Sequence, residues 1–317
     1  MQNTIEFGDC RETMRRWKEQ GVKAQTCVTS PPYYGLRDYG HDGQIGLEET
    51  PEAYIKAMVE VFRCVWDVLE DDGTLWLNIG DSYYNYRPGA GQRQGKQSIA
   101  SQKFSEVEIC HKRGLKLDGL KEKDLIGIPW MLAFALRADG WYLRQDIIWH
   151  KPNPMPESVQ DRCTKTHEYI FLLSKSQKYY YDTEAIQEKA KRPEGPGNKT
   201  HRHSQEGIYV FGSQKNLAKI GASETRNKRS VWTVTTKPYK GAHFATFPPD
   251  LITPCILAGA PAGGVVLDPF MGSGTTAAVA IDNGRNYLGC ELNSAYKDLQ
   301  DIRIRDAHLG TAQMELI

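Results

Sequence analysis

The stretch Val265-Val-Leu-Asp-Pro-Phe-Met-Gly-Ser-Gly-Thr-Thr276 decides the fold class. Its first three residues are typical of a buried strand, and two glycines then turn the chain into a helix that starts near Ala277. Glycines let the backbone approach a ligand closely, and the free N–H groups at a helix N-terminus attract an anion. This order of strand, glycine turn and helix therefore predicts a nucleotide-binding unit of an α/β protein.

A second predicted strand follows and ends on Glu291. In dinucleotide-binding folds, a carboxylate about 20 residues beyond the glycine turn meets the hydroxyls of a ribose. The third glycine position of that fingerprint is held by Ala277, which the fingerprint permits. Taken alone, this motif leaves a nicotinamide-dependent oxidoreductase open.

Outside this unit, short β-branched or aromatic runs alternate with helical patterns, which predicts an α/β fold with a mostly parallel, twisted sheet. Strands are predicted at 4–7, 25–28, 74–79, 142–149 and 168–173. Thr50 is predicted to cap a helix that begins at Pro51, and Asp72-Gly73 to form a turn. The last helix is expected to carry Tyr296, Leu299, Ile302 and Leu309 on one apolar face.

The second motif is Thr29-Ser-Pro-Pro-Tyr33, directly after a predicted buried strand. Two prolines remove two N–H donors and fix an extended turn, so that carbonyl oxygens are left at the carboxyl edge of the sheet. Ser30 adds an acceptor for an amino group, and Tyr33 offers a ring on which a base can stack. A proline turn that only ends a strand is the alternative, and the glycine turn elsewhere in the chain weighs against it.

These two motifs resemble those of the S-adenosylmethionine-dependent DNA amino-methyltransferases, which methylate cytosine N4 or adenine N6. Thr29-Ser-Pro-Pro-Tyr33 is similar to the catalytic motif of that family, and the segment from Asp268 to Thr275 to its cofactor motif. Because the catalytic motif comes first, the order resembles that of the family's permuted β group. The resemblance implies a Rossmann-like methyltransferase fold with a circularly permuted motif order.

The resemblance also implies site residues. The catalytic set is Ser30, Pro31, Pro32 and Tyr33. In the cofactor set, Gly272 and Gly274 lie along the methionyl part, Glu291 binds the ribose, and Asp9 lies near the adenine. The other members of this set are Asp268, Phe270, Thr275, Thr246 and Phe247. The segment 149–156 resembles the part of the family that faces the target base, with a stiff proline loop as the alternative.

The residue before the two prolines bears on the target base. Members of the family often have Ser at this position when cytosine N4 is methylated, and Asp when adenine N6 is. Ser30 therefore predicts site-specific methylation of cytosine N4 in duplex DNA, by base flipping and direct in-line transfer. The same chemistry on adenine N6 stays the alternative.

The charge distribution predicts where DNA is bound. The 317 residues carry 40 Lys and Arg against 39 Asp and Glu, but 84–123 and 184–240 are both strongly basic. We predict one methyltransferase domain with a catalytic half at 1–183, which includes a basic insertion at 84–123, and a cofactor-binding half at 241–317. Between them, 184–240 is predicted to be a small target-recognition insertion, with a solvated basic loop as the alternative; its candidate DNA contacts are Lys191, Arg192, Arg202, Arg226, Lys228 and Arg229.

The seven cysteines are scattered, form no C-x-x-C pair and predict neither disulfides nor a metal site. No apolar run approaches the roughly 20 residues that span a bilayer. We therefore expect a cytoplasmic protein whose partner is double-stranded DNA. The resemblance leaves open a homodimer and a cognate restriction endonuclease as further partners.

Overall fold

The structure is a computed structural model that describes all residues except Arg37, Tyr39, Asp42, 85–116, Asp118, 191–223, 237–246 and 315–317. Within the described residues the strands are β1 (Thr4–Phe7), β2 (Ala24–Thr29), β3 (Leu69–Ile79), β4 (Tyr142–His150), β5 (His167–Ser174), β6 (Glu188–Lys189), β7 (Thr225–Arg226), β8 (Val231–Thr233), β9 (Val265–Asp268) and β10 (Asn286–Glu291). The helices are α1 (Cys10–Glu19), α2 (Pro51–Val68), α3 (Ile128–Ala138), α4 (Pro249–Gly259), α5 (Thr275–Asp282) and α6 (Lys297–Met314). Short 3₁₀ turns lie at Glu184–Ile186 and Ser294–Tyr296.

Eight strands form one sheet in the order β1-β10-β9-β2-β3-β5-β4-β8. All neighbours are parallel except β5, which runs antiparallel to both β3 and β4. The predicted α/β class with a mostly parallel sheet is therefore confirmed. The two strands that come last along the chain, β9 and β10, lie between β1 and β2 in the sheet. The two ends of the chain therefore build this part of the sheet together.

Helices cover both faces of this sheet. Successive residues of a strand point to opposite faces, and in β2 Cys27 and Val28 belong to two different apolar clusters. The first cluster packs β2 against α1, α2 and α3 through Trp17, Phe62 and Leu132. The second covers the other face with α4, α5 and α6. A parallel sheet buried on both faces leaves its strand ends as the place where polar groups can gather.

Most predicted elements are present, and their ends follow the expected capping chemistry. Thr50 caps α2 by accepting a hydrogen bond from the backbone N–H of Ala53 at 3.1 Å, with Pro51 as the first helical residue. The predicted turn at Asp72-Gly73 is wrong, because β3 already begins at Leu69. Residues 70–73 are instead taken up by a shift of register against β2, which is the behaviour of a β-bulge.

The predicted apolar face of the last helix is also wrong. In α6 the side chains of Ile302 and Leu309 are 45% and 58% exposed, whereas Gln300 and Ala307 are buried. The helix turns a polar residue inward because Gln300 has a hydrogen-bond partner there, which is described with the site below.

Much of the two basic regions lies outside the described residues. Of 184–240, β6 and β7 pair as a separate two-stranded ribbon, but β8 is the edge strand of the main sheet beside β4. The described part of this region is therefore joined to the main domain, and the division into domains stays a prediction. None of the helices in the described ranges has the length and apolar character needed to cross a membrane.

Candidate active site

A cavity of about 680 Å³ opens at the edge of the sheet where β1, β10, β9 and β2 end. Among the predicted site residues, those that line it are Asp9, Ser30, Pro31, Pro32, Tyr33, Phe247, Asp268, Phe270, Gly272, Thr275 and Glu291. Gly274 lies outside the lining, at the N-terminus of α5, and Thr246 lies outside the described residues. Residues from the two ends of the chain thus meet in one cavity.

The glycine turn depends on two left-handed residues and one buried carboxylate. Gly272 and Gly274 have φ of +53° and +83°, which residues with a Cβ rarely adopt. Asp268 accepts hydrogen bonds from the hydroxyls of Thr29 and Thr276, each at 2.6 Å. Burial raises the pKa of Asp268 to about 6, although these hydrogen bonds counter the rise. Because its oxygens serve groups of the protein, we interpret Asp268 as the residue that fixes the turn to β2 and α5.

Two further carboxylates face the cavity. Glu291 accepts hydrogen bonds from the backbone N–H groups of Gly272 at 2.7 Å and Asn293 at 2.8 Å, and burial raises its pKa. These contacts use one lone pair of each oxygen, so the carboxylate can still accept from hydroxyl groups. Asp9 caps α1 and pairs with Arg11. Burial raises the pKa of Asp9, but the hydrogen bonds and charge of Arg11 outweigh this and hold it below its ordinary value.

The last helix supports the glycine turn from behind. The side-chain amide of Gln300, which is 2% exposed, donates to the backbone oxygen of Gly272 at 2.6 Å. The guanidinium of Arg303 donates to the hydroxyl of Ser273 at 2.7 Å and also to that of Thr275. Neither residue was predicted from the sequence, because no motif marks a polar residue on the buried face of a distant helix.

The Ser-Pro-Pro-Tyr turn begins where Thr29 ends β2 and is anchored on the opposite side by α2. The hydroxyl of Tyr54 donates to the backbone oxygen of Pro32 at 2.9 Å. The ring of Tyr33 lies directly over Gly80, where an added Cβ would come within 2.6 Å of the ring atom Cε2. Gly80 therefore makes room for the Tyr33 ring.

The Tyr33 hydroxyl leads into a polar cluster formed by Asn78, Lys151 and Glu168. It donates to Glu168 Oε2 at 2.7 Å and lies 3.4 Å from Asn78 Oδ1, while Lys151 donates to Glu168 Oε1. Burial, and then the charge of Glu168, raise the pKa of Tyr33 well above its ordinary value, so the phenol stays protonated at neutral pH. The neighbouring Ser30 hydroxyl offsets part of this rise.

Glu168 was not predicted, because it lies at the start of its strand and the sequence does not give the direction of that strand in the sheet. Since β5 is antiparallel, its first residues lie at the same edge as the ends of its neighbours. The sequence held a signal: the predicted strands 142–149 and 168–173 have no helical pattern between them, which is typical of antiparallel neighbours.

The segment 149–156 also reaches the cavity, which favours its interpretation as a surface facing the target base. Its lining residues are Trp149, Lys151, Asn153, Pro154 and Met155. The indole N–H of Trp149 donates to the backbone oxygen of Val234 at 2.8 Å, and Asn153 accepts from the backbone N–H of Thr236 at 3.0 Å. The loop is thereby held against the segment that follows β8.

The described candidates for DNA contact are engaged within the protein. Arg226 and Arg229 both donate to Glu188 Oε1, at 2.8 and 2.6 Å, and the Lys228 ammonium lies 5.0 Å from the ring centroid of Trp232. The other three candidates, Lys191, Arg192 and Arg202, lie outside the described residues. Contact of all six with DNA stays a prediction.

The composition of the lining fits a nucleoside-containing ligand. Phe247, Phe270 and Tyr296 supply flat apolar surface, and Glu291 supplies acceptors for ribose hydroxyls. The left-handed glycine turn allows a ligand to come close to the backbone. Across the described ranges, no group of three His, Cys, Asp or Glu side chains is arranged to hold a metal ion.

Comparisons with known proteins give a consistent result. A family model described as DNA methylase matches residues 24–301. The chain is 47% identical to Type II methyltransferase M.SmaI of Serratia marcescens over 303 residues, which cover 95% of this chain and 90% of that protein. It is 46% identical to Type II methyltransferase M.Cfr9I of Citrobacter freundii, with 95% and 87% covered.

Solved structures show the same fold at low identity. PvuII DNA methyltransferase, described as cytosine-N4-specific, is 16% identical, with a TM-score of 0.59 and coverage of 96% of this chain and 86% of that one. TTHA0409 from Thermus thermophilus, solved in complex with S-adenosyl-L-methionine, is 23% identical, with a TM-score of 0.54 and coverage of 96% and 95%.

Proposed function

The chain belongs to the N6/N4 DNA methylase family and is a DNA methyltransferase, and from this premise we propose that it methylates the exocyclic N4 of cytosine in duplex DNA. The family's methyl donor is S-adenosylmethionine, which the related structure TTHA0409 holds. Membership of this family removes the nucleotide-dependent oxidoreductase that the glycine turn alone left open.

One observation carries the proposal: the Ser-Pro-Pro-Tyr turn and the glycine turn line a single cavity and are joined by the hydrogen bond from Thr29 to Asp268 at 2.6 Å. Ser30 at the first position of the catalytic motif favours cytosine N4 over adenine N6. The likeness of the fold to the cytosine-N4-specific PvuII enzyme agrees with this choice.

The residues of the glycine turn fit S-adenosylmethionine, which when bound supplies an electrophilic methyl group on a sulfonium. We assign the ribose hydroxyls to Glu291, whose carboxylate is already oriented by two backbone N–H groups. The methionyl part is assigned to Gly272 and its neighbours, and the adenine to the side of the cavity lined by Asp9 and Phe247. Asp268 and Gln300 keep the turn in place.

The catalytic turn positions the amino group of the base. Ser30 and the backbone oxygen of Pro31 accept hydrogen bonds from this amino group and direct its lone pair toward the methyl group. The Pro31 oxygen is assigned this role because the Pro32 oxygen already accepts a hydrogen bond from Tyr54. Holding the reacting atoms near contact can lower a barrier by about 7–11 kcal/mol in the best-oriented systems. The base reaches the cavity only when flipped out of the duplex, at a cost of a few kcal/mol, and stacks on Tyr33.

We assign DNA contact to the 184–240 region. Arg226 and Arg229 would exchange Glu188 for phosphate oxygens, and Lys191, Arg192, Arg202 and Lys228 would add cations. A cognate restriction endonuclease is proposed as a functional partner, because both relatives named above are Type II methyltransferases.

The experiment identifies the methylated base. Purified protein is incubated with plasmid DNA of mixed sequence and S-adenosylmethionine carrying a deuterated methyl group, and the digested nucleosides are analysed by mass spectrometry. We expect labelled N4-methyl-2′-deoxycytidine, with none in a reaction without protein. Label found only in N6-methyl-2′-deoxyadenosine would overturn the choice of base and leave family membership intact.

A further inference from the structure

The hydroxyl group of Tyr33 has no role in a site where the ring only stacks on a base. In the structure it nevertheless has two polar neighbours, Glu168 Oε2 at 2.7 Å and Asn78 Oδ1 at 3.4 Å. Tyr33, Asn78 and Glu168 all line the cavity, together with Ser30. The polar cluster therefore lies in the same cavity as Ser30, which is assigned to the amino group of the base.

Methyl transfer to an amine creates a need for proton removal. The amino group of the base has two hydrogens, and it becomes positively charged when it gains a methyl group. One of the two hydrogens must then leave as a proton to give the neutral product. A cytosine nitrogen in that state is strongly acidic, so the proton leaves easily if an acceptor is in reach. General base groups that receive such protons contribute about 10²–10⁴-fold to a rate.

We propose that Ser30, Tyr33 and Glu168 form a proton path that takes this hydrogen away from the base; the inference rests on the proposed function. The Ser30 hydroxyl is hydrogen-bonded to the Tyr33 phenol, which donates to Glu168. The N–H proton passes to Ser30 Oγ, the Ser30 hydroxyl proton to Tyr33 Oη, and the Tyr33 hydroxyl proton to Glu168 Oε2. The base loses one proton, Glu168 gains one, and both hydroxyls end as they began. Glu168 then returns the proton to solvent.

Two lysine side chains lie beside Glu168, the last group of the path. Lys151 pairs with its other oxygen, and the Lys151 ammonium lies 4.3 Å from the ring centroid of Trp149. A second ammonium, on Lys165, also interacts with Glu168 and donates to the backbone oxygen of Asp81 at 2.7 Å. Burial lowers the pKa of Lys165, while the charges of Asp81 and Glu168 counter this effect.

Asn78 fixes the direction of the path. Its amide donates to the backbone oxygen of Tyr169 at 3.0 Å and lies 3.4 Å from Glu168 Oε2. The carboxylate is thereby held from two sides, with Oε1 toward Lys151 and Oε2 toward the phenol. Of the groups that face Glu168, the two lysines are cations, and Tyr33 is the one whose hydroxyl donates to it.

The test compares Tyr33→Phe and Glu168→Gln with two matched controls. Tyr287→Phe removes the hydroxyl of a buried tyrosine at the opposite edge of the same sheet, and Asp139→Asn neutralises a carboxylate that is paired with Arg63 on the surface. Binding of S-adenosylmethionine is measured by titration calorimetry. The methyl-transfer rate is measured in a single turnover with saturating cofactor and DNA.

We expect both variants to bind the cofactor within about twofold of the unmodified protein and to transfer the methyl group at least about 10²-fold more slowly. The double variant should be no slower than either single variant, because both interrupt one path. The controls should keep the full rate.

A second measurement, by NMR, reports the contact between Tyr33 and Glu168 without depending on catalysis. In protein labelled with ¹³C at the tyrosine Cζ, the Tyr33 resonance is assigned by its loss in Tyr33→Phe and should shift in Glu168→Gln, while the other resonances stay in place. Full-rate transfer by Tyr33→Phe would overturn the path and leave the ring with stacking alone. A double variant whose loss of rate equals the product of the two single losses would also overturn the path. The labelled nucleoside separately identifies the target base, and these rate ratios apply to either base.

Discussion

Asp268 is the residue on which the junction between the two halves of the site depends. It is 1% exposed and accepts hydrogen bonds from Thr29, Thr276 and the backbone N–H of Phe270. The motif identifies the position, but only the structure shows that both oxygens serve the protein.

Burial of this carboxyl makes stability depend on pH. Its pKa is about 6 in the folded protein against an ordinary value of 3.8, so the folded state binds the proton more tightly. The stability that this group contributes is present below about pH 4 and is lost as pH rises to about 6, a loss of about 3 kcal/mol.

The first prediction concerns Asp268→Asn, which cannot titrate. The free energy of unfolding in urea should show the unmodified protein losing about 2–3 kcal/mol relative to the variant between pH 4 and pH 7. Because both proteins share all other titrating groups, their difference isolates this one. A relative gain for the unmodified protein as pH rises would contradict the assignment.

Asp9 and Glu291 were predictable because Glu291 ends a strand that runs toward the cavity and Asp9 lies two residues beyond the end of another. Glu168 was not, since its position depends on the direction of β5, and neither was Asn78, an ordinary strand residue. The sequence therefore predicts the cofactor side of the site better than the side that faces the Tyr33 hydroxyl.

Among the elements, α6 supports the glycine turn although it lies far from it along the chain. The second prediction concerns Gln300→Met, which keeps the length of the side chain and removes its donor to Gly272. A hydrogen bond of this kind is worth about 1 kcal/mol, so the affinity for S-adenosylmethionine should fall about 5–10-fold by calorimetry. Asp301→Asn, on the exposed side of the same helix, should leave the affinity unchanged. Equal affinities in all three proteins would mean that α6 does not hold the turn.

Most elements could be predicted from periodicity and capping residues, and the failures have physical causes. Gly73 packs tightly inside the bulge of β3, where an added Cβ would lie 2.9 Å from the backbone oxygen of Glu70; the pair Asp72-Gly73 looks like a turn, but the strand continues through it. The spacing of Ile302 and Leu309 predicted a buried face in α6, but tertiary hydrogen bonds with Gln300 determined which side faces inward.

For the whole molecule, the near-zero net charge is the sum of two basic regions, 84–123 and 184–240, and an acidic remainder of the chain. The third prediction concerns the salt dependence of DNA binding, which reports the number of phosphate contacts. Arg229→Gln should lower the slope of log K against log salt concentration by about 1, measured by fluorescence anisotropy. Arg305→Gln, on the exposed surface of α6, is the control and should keep the slope. An unchanged slope in Arg229→Gln would show that this side chain stays with Glu188 in the complex.

For the whole molecule we propose that the two ends of the chain form one methyltransferase site, in which the glycine turn holds the cofactor and the Ser-Pro-Pro-Tyr turn holds the base. The most direct measurement is methyl transfer from tritiated S-adenosylmethionine to duplex DNA by the unmodified protein and by Ser30→Ala, at cofactor concentrations shown by calorimetry to saturate both. We predict that Ser30→Ala binds the cofactor with unchanged affinity and loses at least about 10²-fold in transfer rate. Transfer at the unmodified rate by Ser30→Ala would contradict the assignment of the base to the Ser-Pro-Pro-Tyr turn.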